Sequence, residues 1–170
     1  MKVSIKQLLF YFLYCTFGKS LPASRVPVIG RLCKGIRGFF ASRALCSCGK
    51  NVNVERNASF SPRCEIGDNS GIGENAKLRG RVIIGNNVMM APDVVVYTSN
   101  HRFSRTDIPI GQQGNEDELP VYIGSDVWIG HGCIILPGKR IGDGCVIEQA
   151  QLYVMICQIL QLVGEIPLEF

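Results

Sequence analysis

Histidine, tryptophan and charged residues are scarce in this chain. Among its 170 residues there are two histidines and one tryptophan, and 19% are charged while 46% are hydrophobic. A chain of this length and hydrophobic content can fill the core of one compact domain and is not compositionally disordered. Two histidines are too few to supply by themselves the three protein ligands that a catalytic zinc requires.

The N-terminal region lacks a hydrophobic run long enough to cross a bilayer. The run at residues 8–17 has ten residues, whereas a spanning helix needs about 20. Lys2 and Lys6 before the run, and residues 21–24 after it, leave a cleaved export signal open. The alternatives are a helix packed on the end of the domain, and a helix lying on a membrane surface with its lysines toward anionic lipid.

Acidic residues are almost missing from the first third of the chain. Residues 1–56 carry ten Lys or Arg and a single acid, Glu55, whereas residues 57–170 carry eight basic and thirteen acidic residues. A nucleic-acid binder usually spreads its basic patch over its folded face. We therefore expect no nucleic-acid partner, and a basic N-terminal segment attached to a mildly acidic body.

Large apolar residues recur at every sixth position, in two blocks. The first block is Val54, Phe60, Ile66, Ile72, Leu78, Ile84, Met90 and Val96, and the second is Ile123, Ile129, Ile135, Ile141 and Ile147. The residues two positions earlier in each unit are mostly small or β-branched. Cysteines fall on these two phases, so most of the eight are predicted to be reduced core residues rather than a disulfide framework.

The repeat predicts a solenoid. Inward-facing residues two apart are typical of a strand, and the Gly-Asn and Gly-Asp pairs that follow are typical of turns that tolerate positive φ. A short strand and a corner every six residues predict coils of stacked parallel strands around one narrow core. Three units per turn give a triangular prism, with about three coils in residues 48–101 and a little under two in 121–150.

The two blocks are out of phase with each other. Val96 and Ile123 are 27 residues apart, which is not a multiple of six. Residues 97–120, which are rich in Gly, Gln and acids, are therefore predicted to leave the coil as a loop. Long excursions from a rigid scaffold often carry function, and His101 lies at the root of this one.

Three motifs make the chain resemble the hexapeptide-repeat acyltransferases, which include galactoside, maltose and serine acetyltransferases and many surface-polysaccharide O-acetyltransferases. The motifs are Ile84-Gly85-Asn86-Asn87-Val88-Met89-Met90-Ala91-Pro92-Asp93, Thr98-Ser99-Asn100-His101 and Ile123-Gly124-Ser125-Asp126-Val127-Trp128-Ile129-Gly130. The resemblance implies a mainly β fold, a left-handed parallel β-helix over residues 44–147 with the ejected loop, after a basic, apolar helical segment over 1–43. The general crossover rule alone would favour the opposite hand.

The same resemblance implies an O-acetyltransferase that uses acetyl-CoA as donor and a sugar or cell-surface polysaccharide precursor as acceptor. His101 matches the family's base, and an imidazole suits removal of a hydroxyl proton. Trp128 matches a tryptophan that lines the active site, and Gly130 and His131 match positions along coenzyme A. Family members bind coenzyme A between subunits of a homotrimer. We expect the same here in the cytoplasm, with membrane contact through the N-terminal segment left open.

Plainer alternatives remain for several of these residues and for the whole chain. Asn100 and Asp93 orient the base or the acceptor, or are simply turn residues. His131 is a departure from the family's small or polar residue, and a surface role is its alternative. The γ-class carbonic anhydrases use the same solenoid with three histidines on zinc, which this chain lacks, so we expect no metal. A non-catalytic solenoid is the other alternative.

The repeat stops obeying its rule after Ile147. Back-translation of residues 148–167 with one choice of synonymous codons, read one base earlier, gives Gly-Ala-Gly-Thr-Val-Val-Cys-Asp-Asp-Met-Pro-Asp-Phe-Ala-Val-Gly-Gly-Gly-Asn-Pro, which is close to the family's ending. Residues 148–170 are therefore predicted to be an aberrant, frameshifted tail. Glu148, Gln149 and Ala150 then stand where the family has Gly-Ala-Gly, and we expect weak cofactor binding and weak or absent activity.

Overall fold

The computed structural model describes residues 3–149 and 152–153. Two helices come first, α1 (Ile5–Leu13), continued by a π-helical turn over Tyr14–Gly18, and α2 (Ile29–Ala44). Ser4 begins α1 with a capping box, in which its hydroxyl accepts from the Gln7 backbone and the Gln7 side chain accepts from the Ser4 backbone. None of the helices described is long and apolar enough to cross a membrane.

Within the part of the chain that the structure describes, fifteen short strands follow the helices and form three parallel faces. The first face contains β1 (Ser47–Cys48), β4 (Glu65–Ile66), β7 (Val82–Ile84), β10 (Val121–Ile123) and β13 (Arg140–Ile141). The second contains β2 (Asn53–Val54), β5 (Gly71–Ile72), β8 (Met89–Met90), β11 (Trp128–Ile129) and β14 (Val146–Ile147). The third contains β3 (Ser59–Phe60), β6 (Lys77–Leu78), β9 (Val95–Val96), β12 (Ile134–Ile135) and β15 (Leu152–Tyr153). This is the predicted parallel β-helix.

The register between coils is constant except at one place. Ile66 pairs with Ile84, 18 residues later, and Ile123 pairs with Ile141 at the same spacing. Ile84 instead pairs with Ile123, 39 residues later, so one coil carries 21 additional residues. The predicted loop therefore leaves the prism between β9 and β10 without disturbing the stack, and it contains one 3-10 turn over Ile110–Gln112.

The two phases of the repeat form the core. In the first block all the large residues are buried except Met90, which is half-buried, and in the second block all are buried. Cys64, Cys133 and Cys145 are buried among them, as predicted, whereas Cys46 and Cys48 are half-buried. Ser70 is the polar exception, and its hydroxyl bonds the Gly85 carbonyl and the Val88 amide.

Many corners contain a residue with positive φ, as the turn chemistry predicts. It is Asn or Asp at some corners, such as Asn69 (φ 56°) and Asn87 (φ 57°), and glycine at others, such as Gly132 (φ 70°) and Gly144 (φ 69°). Gly67 is needed for close approach, because a Cβ there would lie 2.6 Å from the Gly85 carbonyl oxygen of the next coil. The corner amides also bond from coil to coil, with Asn69 Nδ2 3.2 Å from Asn87 Oδ1.

The helices cover the end of the prism formed by the first coil. Tyr14 is fully buried, stacks near Phe60 and donates its hydroxyl to the Ala58 carbonyl at 2.8 Å. Arg37 of α2 is also fully buried, and its Nε donates to the Val54 carbonyl at 2.8 Å. The N-terminal run is therefore a helix with one side packed on the end of the domain, and contact of its other side with a membrane stays a prediction.

Candidate active site

The two ends of the ejected loop are joined at its root. Thr98, at the departing end, is buried, and its hydroxyl lies 3.1 Å from Glu118 Oε1 at the returning end. Glu118 also accepts the Arg81 backbone N–H at 2.7 Å and pairs with both terminal nitrogens of the Arg63 guanidinium. We call Arg63, Thr98 and Glu118, with the Arg81 backbone, the root clamp.

The electrostatics of the root clamp keep its carboxylate charged. Burial by itself raises the pKa of the Glu118 carboxyl. The hydrogen bonds from the Arg81 backbone, from Thr98 and from Arg63 outweigh burial, so this pKa lies below its ordinary value. The charged form is the one that the donors stabilise, and Glu118 therefore stays ionised at neutral pH.

His101 lies just outside the root clamp and is exposed. The backbones on either side of it pair with the returning part of the loop: the Glu116 N–H donates to the Asn100 carbonyl at 2.8 Å, and the Arg102 N–H donates to the Gly114 carbonyl at 3.0 Å. His101 itself forms an antiparallel bridge with Asn115. The loop thus presents an accessible imidazole on a backbone fixed on both sides.

Trp128 lies on the second face, and its side chain points outward as the repeat phase predicts. It is 49% exposed. Its neighbour on β8 is Met89, which is also exposed. The Trp128 N–H donates to the Cys145 carbonyl at 3.0 Å, so the strand position is fixed by the next coil. The result is an open apolar surface on the middle of this face.

His131 and Asp93 meet at the next corner. His131 Nδ1 lies 3.7 Å from Asp93 Oδ2, and both side chains are about half exposed. Asp93 has φ 61° and accepts the Asn75 side-chain amide at 3.1 Å. These contacts are those of a corner residue, which is the plainer of the two alternatives for Asp93.

Gly130 is closed off by the following coil. Its N–H donates to the Ile147 carbonyl at 2.7 Å, and a Cβ at this position would lie 2.6 Å from the Gln149 backbone nitrogen. The glycine is therefore required by packing between coils. The backbone of residues 148–149 covers it, so these residues lie beside the candidate donor surface, as the sequence analysis expects for Glu148 and Gln149.

The structure brings some of the predicted residues together and leaves others apart. Asp93 meets His131, and Asn100 adjoins His101 at the loop root. Trp128 lies on the second face, whereas the loop that carries His101 leaves the prism between β9 on the third face and β10 on the first.

The root clamp was not predicted from the sequence, in which the acidic residues 116–118 stand out only as part of the loop composition. Glu118 and Arg63 are 55 residues apart, and the repeat does not link them because the loop breaks the period. The one sign of the root clamp in the sequence is the glycine at position 80. The structure explains it, because a Cβ there would lie 1.9 Å from Thr98 Oγ1 and 2.3 Å from Glu118 Oε1.

Comparison with known proteins agrees with this architecture. The family model described as "Bacterial transferase hexapeptide (six repeats)" matches residues 64–98 and 120–149, on either side of the loop. The galactoside O-acetyltransferase of Lactococcus lactis is 41% identical over 68 residues, which are 40% of this chain and 31% of that protein. The galactoside O-acetyltransferase of Escherichia coli is 36% identical over 63 residues. The matched segments span about a third of the length of these curated relatives.

Two solved structures are similar over most of the chain. A maltose O-acetyltransferase from Clostridium difficile has a TM-score of 0.64 and 29% identity, and the match covers 85% of this chain and 73% of that one. A galactoside acetyltransferase in complex with coenzyme A has a TM-score of 0.65 and 28% identity, covering 85% and 68%.

The hexapeptide repeats matched by the family model, together with the acetyltransferases among the relatives and solved neighbours, confirm the resemblance found in the sequence. The solved neighbours of this chain are left-handed β-helices, and the expected hand is confirmed with them. Within residues 3–149, no group of three or more His, Cys, Asp or Glu is placed to hold a metal ion.

Proposed function

We propose that this chain transfers an acetyl group from acetyl-CoA to a hydroxyl of a sugar, and that the acceptor is a cell-surface polysaccharide precursor. The observation that carries the proposal is His101, an exposed imidazole at the root of a loop whose backbone is fixed by pairing on both sides. Similarity to the galactoside and maltose O-acetyltransferases supports the reaction type.

The chemistry requires a base, because a sugar hydroxyl is a poor nucleophile near neutral pH. His101 takes the hydroxyl proton as the acceptor oxygen forms a bond to the acetyl carbonyl carbon. The carbon–sulfur bond of the thioester then breaks, and the sulfur leaves with the electron pair and recovers the proton from the imidazolium. A positioned base of this kind contributes about 10²–10⁴ to the rate.

The donor would lie along the second face, beside Trp128, Met89 and the corner at His131. The residues present fit such a ligand. Exposed apolar side chains stand next to a polar corner, and the position of Gly132 is open, since a Cβ there would meet nothing within 4 Å. Acetyl-CoA supplies the activated acyl group, and the chain supplies an apolar surface and the polar corner that orient it.

A homotrimer completes this proposal. His101 is on the loop between the third and first faces and Trp128 is on the second face, so in this proposal the base meets the donor surface where the loop of one copy faces the second face of another. Three identical prisms in a closed ring give three equivalent sites of this kind.

The N-terminal segment supports both the acceptor and the location in the cell. By the resemblance, a basic, apolar segment of this kind precedes the coil in many surface-polysaccharide O-acetyltransferases. We propose a cytoplasmic enzyme because residues 21–24, which would be the cleavage region of an export signal, are part of the fold. Residues 21–24 are held within the fold: the Arg37 guanidinium donates to the Leu21 and Pro22 carbonyls and to the Ser24 hydroxyl. The segment that favours the polysaccharide branch is therefore built into the end of the prism.

Reduced activity from the C-terminal tail belongs to the same proposal. Most of the tail, residues 150–151 and 154–170, lies outside the described residues. The described part continues the coil, since β15 (Leu152–Tyr153) pairs with β12. Glu148 and Gln149 nevertheless bring larger side chains, one of them charged, to the corner beside Gly130, and we expect them to weaken donor binding.

The test is a thiol-release assay with acetyl-CoA across a panel of sugars and lipid-linked glycans. It is run on this chain and on the product of the gene with one base restored before codon 148. We expect release with at least one acceptor, and faster release by the restored protein. No release by the restored protein with any acceptor would overturn the proposal and favour the non-catalytic solenoid.

A second arm tests the base. His101→Ala should lower turnover by about 10²–10⁴, while Arg102→Ala, an exposed neighbour in the same loop, should stay within about twofold, as surface substitutions usually do. A loss of less than tenfold in a folded His101→Ala sample would remove His101 from the mechanism.

A further inference from the structure

The exposed apolar side chains of this protein are concentrated on the two N-terminal helices. Of the eighteen large apolar side chains that are exposed in the described residues, eleven lie between residues 5 and 39. Soluble monomers rarely leave large contiguous apolar patches uncovered, and such patches mark interaction surfaces. This concentration is independent of the acetyl-transfer site, which lies on the prism.

On α1 the exposed side chains form one stripe. Ile5, Leu8, Leu9 and Phe12 are all exposed and recur at helical spacing, opposite the side on which Tyr14 packs against the strands. Both sides of α1 are therefore apolar, although only one has a partner in the fold. A helix that is apolar all round is normally buried on all sides.

On α2 a second stripe continues the same surface. Leu32, Ile36 and Phe39 are exposed on the side of the helix away from Arg37, which contacts the strands. The Phe39 ring lies 6.2 Å from the Phe10 ring of α1, so the helices pack side by side. We call the outward stripes of α1 and α2 together the helical face.

The residue just before α2, Val28, is also an exposed apolar residue. Val28 has φ 65° and is 95% exposed. A β-branched residue is strained at this positive φ, and a γ-turn holds it there, since the Ile29 N–H donates to the Pro27 carbonyl at 2.8 Å. Val28 extends the apolar surface by one further side chain beyond the start of the helix.

The charge around the helical face is of one sign. Lys6, Arg31 and Arg43 are exposed on the two helices, and the sequence contains no Asp or Glu before Glu55. The Arg43 guanidinium lies 3.8 Å from the centroid of the Phe39 ring, at the border of the apolar stripe. Arg25, by contrast, is paired with Glu74 of the prism at 2.8 Å.

We propose that the helical face docks this protein on the surface of a membrane that contains anionic lipid. Exposed apolar side chains bordered by basic residues are the pattern of helices that lie in the headgroup region. Docking is on the surface, because α1 is about 14 Å long at helical rise, against about 30 Å of hydrocarbon. A second copy fits less well, because two such faces would bring together basic residues with no acid between them.

Vesicle sedimentation of the full chain tests the proposal. We expect the protein to sediment with vesicles of equal parts phosphatidylglycerol and phosphatidylcholine, to release as salt is raised, and to stay in solution with phosphatidylcholine alone. Binding to both kinds of vesicle with equal strength, or to neither, would overturn it.

Matched variants separate the helical face from the rest of the surface. Phe12→Ser together with Leu32→Ser should lower the bound fraction about tenfold or more, because both side chains are about two-thirds exposed and supply apolar area to the bilayer. Ile110→Ser, in the ejected loop and similarly exposed, is the control and should bind as the parent chain does. Equal losses in all variants would contradict the assignment.

Charge is tested in the same way. Arg31→Glu should weaken binding to the anionic vesicles by roughly 5- to 30-fold, since one basic residue near the surface is worth about fivefold and the reversal also adds repulsion. Lys77→Glu, on the exposed side of β6, should have little effect. Light scattering of the parent and the Phe12→Ser, Leu32→Ser pair is run in parallel. If the double variant forms a smaller oligomer than the parent chain does, the helical face is an interface with a second copy, and membrane docking is refuted.

Discussion

Replacing Glu118 with alanine should release the ejected loop while leaving the prism folded. The carboxylate holds three elements: the Arg81 backbone, the Thr98 hydroxyl and the Arg63 guanidinium. In the described residues, no other loop residue accepts a hydrogen bond from these three donors. The strands on either side keep their own ladder, with Val121 paired to Val82, so the damage is expected to stay local.

The magnitude follows from burial. Thr98 is only 3% exposed, and a buried donor that loses its acceptor costs about 1–3 kcal/mol. The Arg63–Glu118 side chains are 39% and 27% exposed, so solvent screens the ion pair, and it adds about 1 kcal/mol or less. We therefore expect the free energy of loop opening to fall by about 2–3 kcal/mol.

Limited proteolysis within residues 99–117 and amide exchange of Arg102 and Glu116, whose N–H groups are bonded across the loop, measure that opening. Glu118→Ala should cleave and exchange faster by roughly 30- to 160-fold, which is the same free energy expressed as a population. Asp117→Ala is the control, since the Asp117 side chain is fully exposed. If Glu118→Ala and Asp117→Ala behave alike, the root clamp does not hold the loop.

Low pH should open the ejected loop, as Glu118→Ala does. The pKa of the Glu118 carboxyl is lower in the folded protein than its ordinary value of 4.5, so the unfolded or opened form takes up the proton first. The stabilisation is therefore present above about pH 4.5 and is lost as pH falls through the folded pKa. Loop protection in the parent chain should decline in that range, and Glu118→Ala should show no such decline from this group.

Three further predictions concern other parts of the fold. Gly80→Ala should open the loop as Glu118→Ala does, because the added Cβ would collide with the Thr98 and Glu118 side chains. Gly114→Ala is the control: it is also at positive φ, but its Cβ would have nothing within 4 Å, so it should cost only the backbone strain of about 1–2 kcal/mol. Similar proteolysis rates for the two variants would contradict this prediction. Arg37→Leu should cost about 3–5 kcal/mol in chemical denaturation, because it leaves the Val54 carbonyl and the carbonyls of residues 21–22 without their buried donor, and a loss under about 1 kcal/mol would show that water replaces it. Light scattering at micromolar concentration should report three chains in solution, and a monomer would leave the base and the donor surface unjoined.

The core was predictable because the solenoid repeats its own geometry. Each coil presents the same two inward positions, so the size of the side chain at Phe60 or Ile129 has to recur at a fixed spacing. That constraint is visible in the sequence without knowledge of any contact. The same reasoning found the loop, since 21 additional residues break the spacing.

The candidate site was only partly predictable. His101 and Trp128 stand out by residue type and by their place relative to the repeat. The root clamp does not, because Arg63 and Glu118 meet only after the loop has left the prism and returned. The helical face was hidden for another reason: a run of apolar residues does not reveal which of its sides the strands will cover.

The hydrogen bonds between corner residues of successive coils constrain the length of the chain. Asn69 bonds to Asn87 one coil later, and where the loop intervenes the Asp126 N–H still donates to the Asn86 carbonyl at 2.8 Å. An insertion elsewhere in the prism has to be a whole coil of 18 residues, or it shifts every corner amide away from its partner above and below. The protein can therefore be lengthened or shortened only by whole coils. A loop of a different length is best placed between β9 and β10, where the chain already leaves the prism.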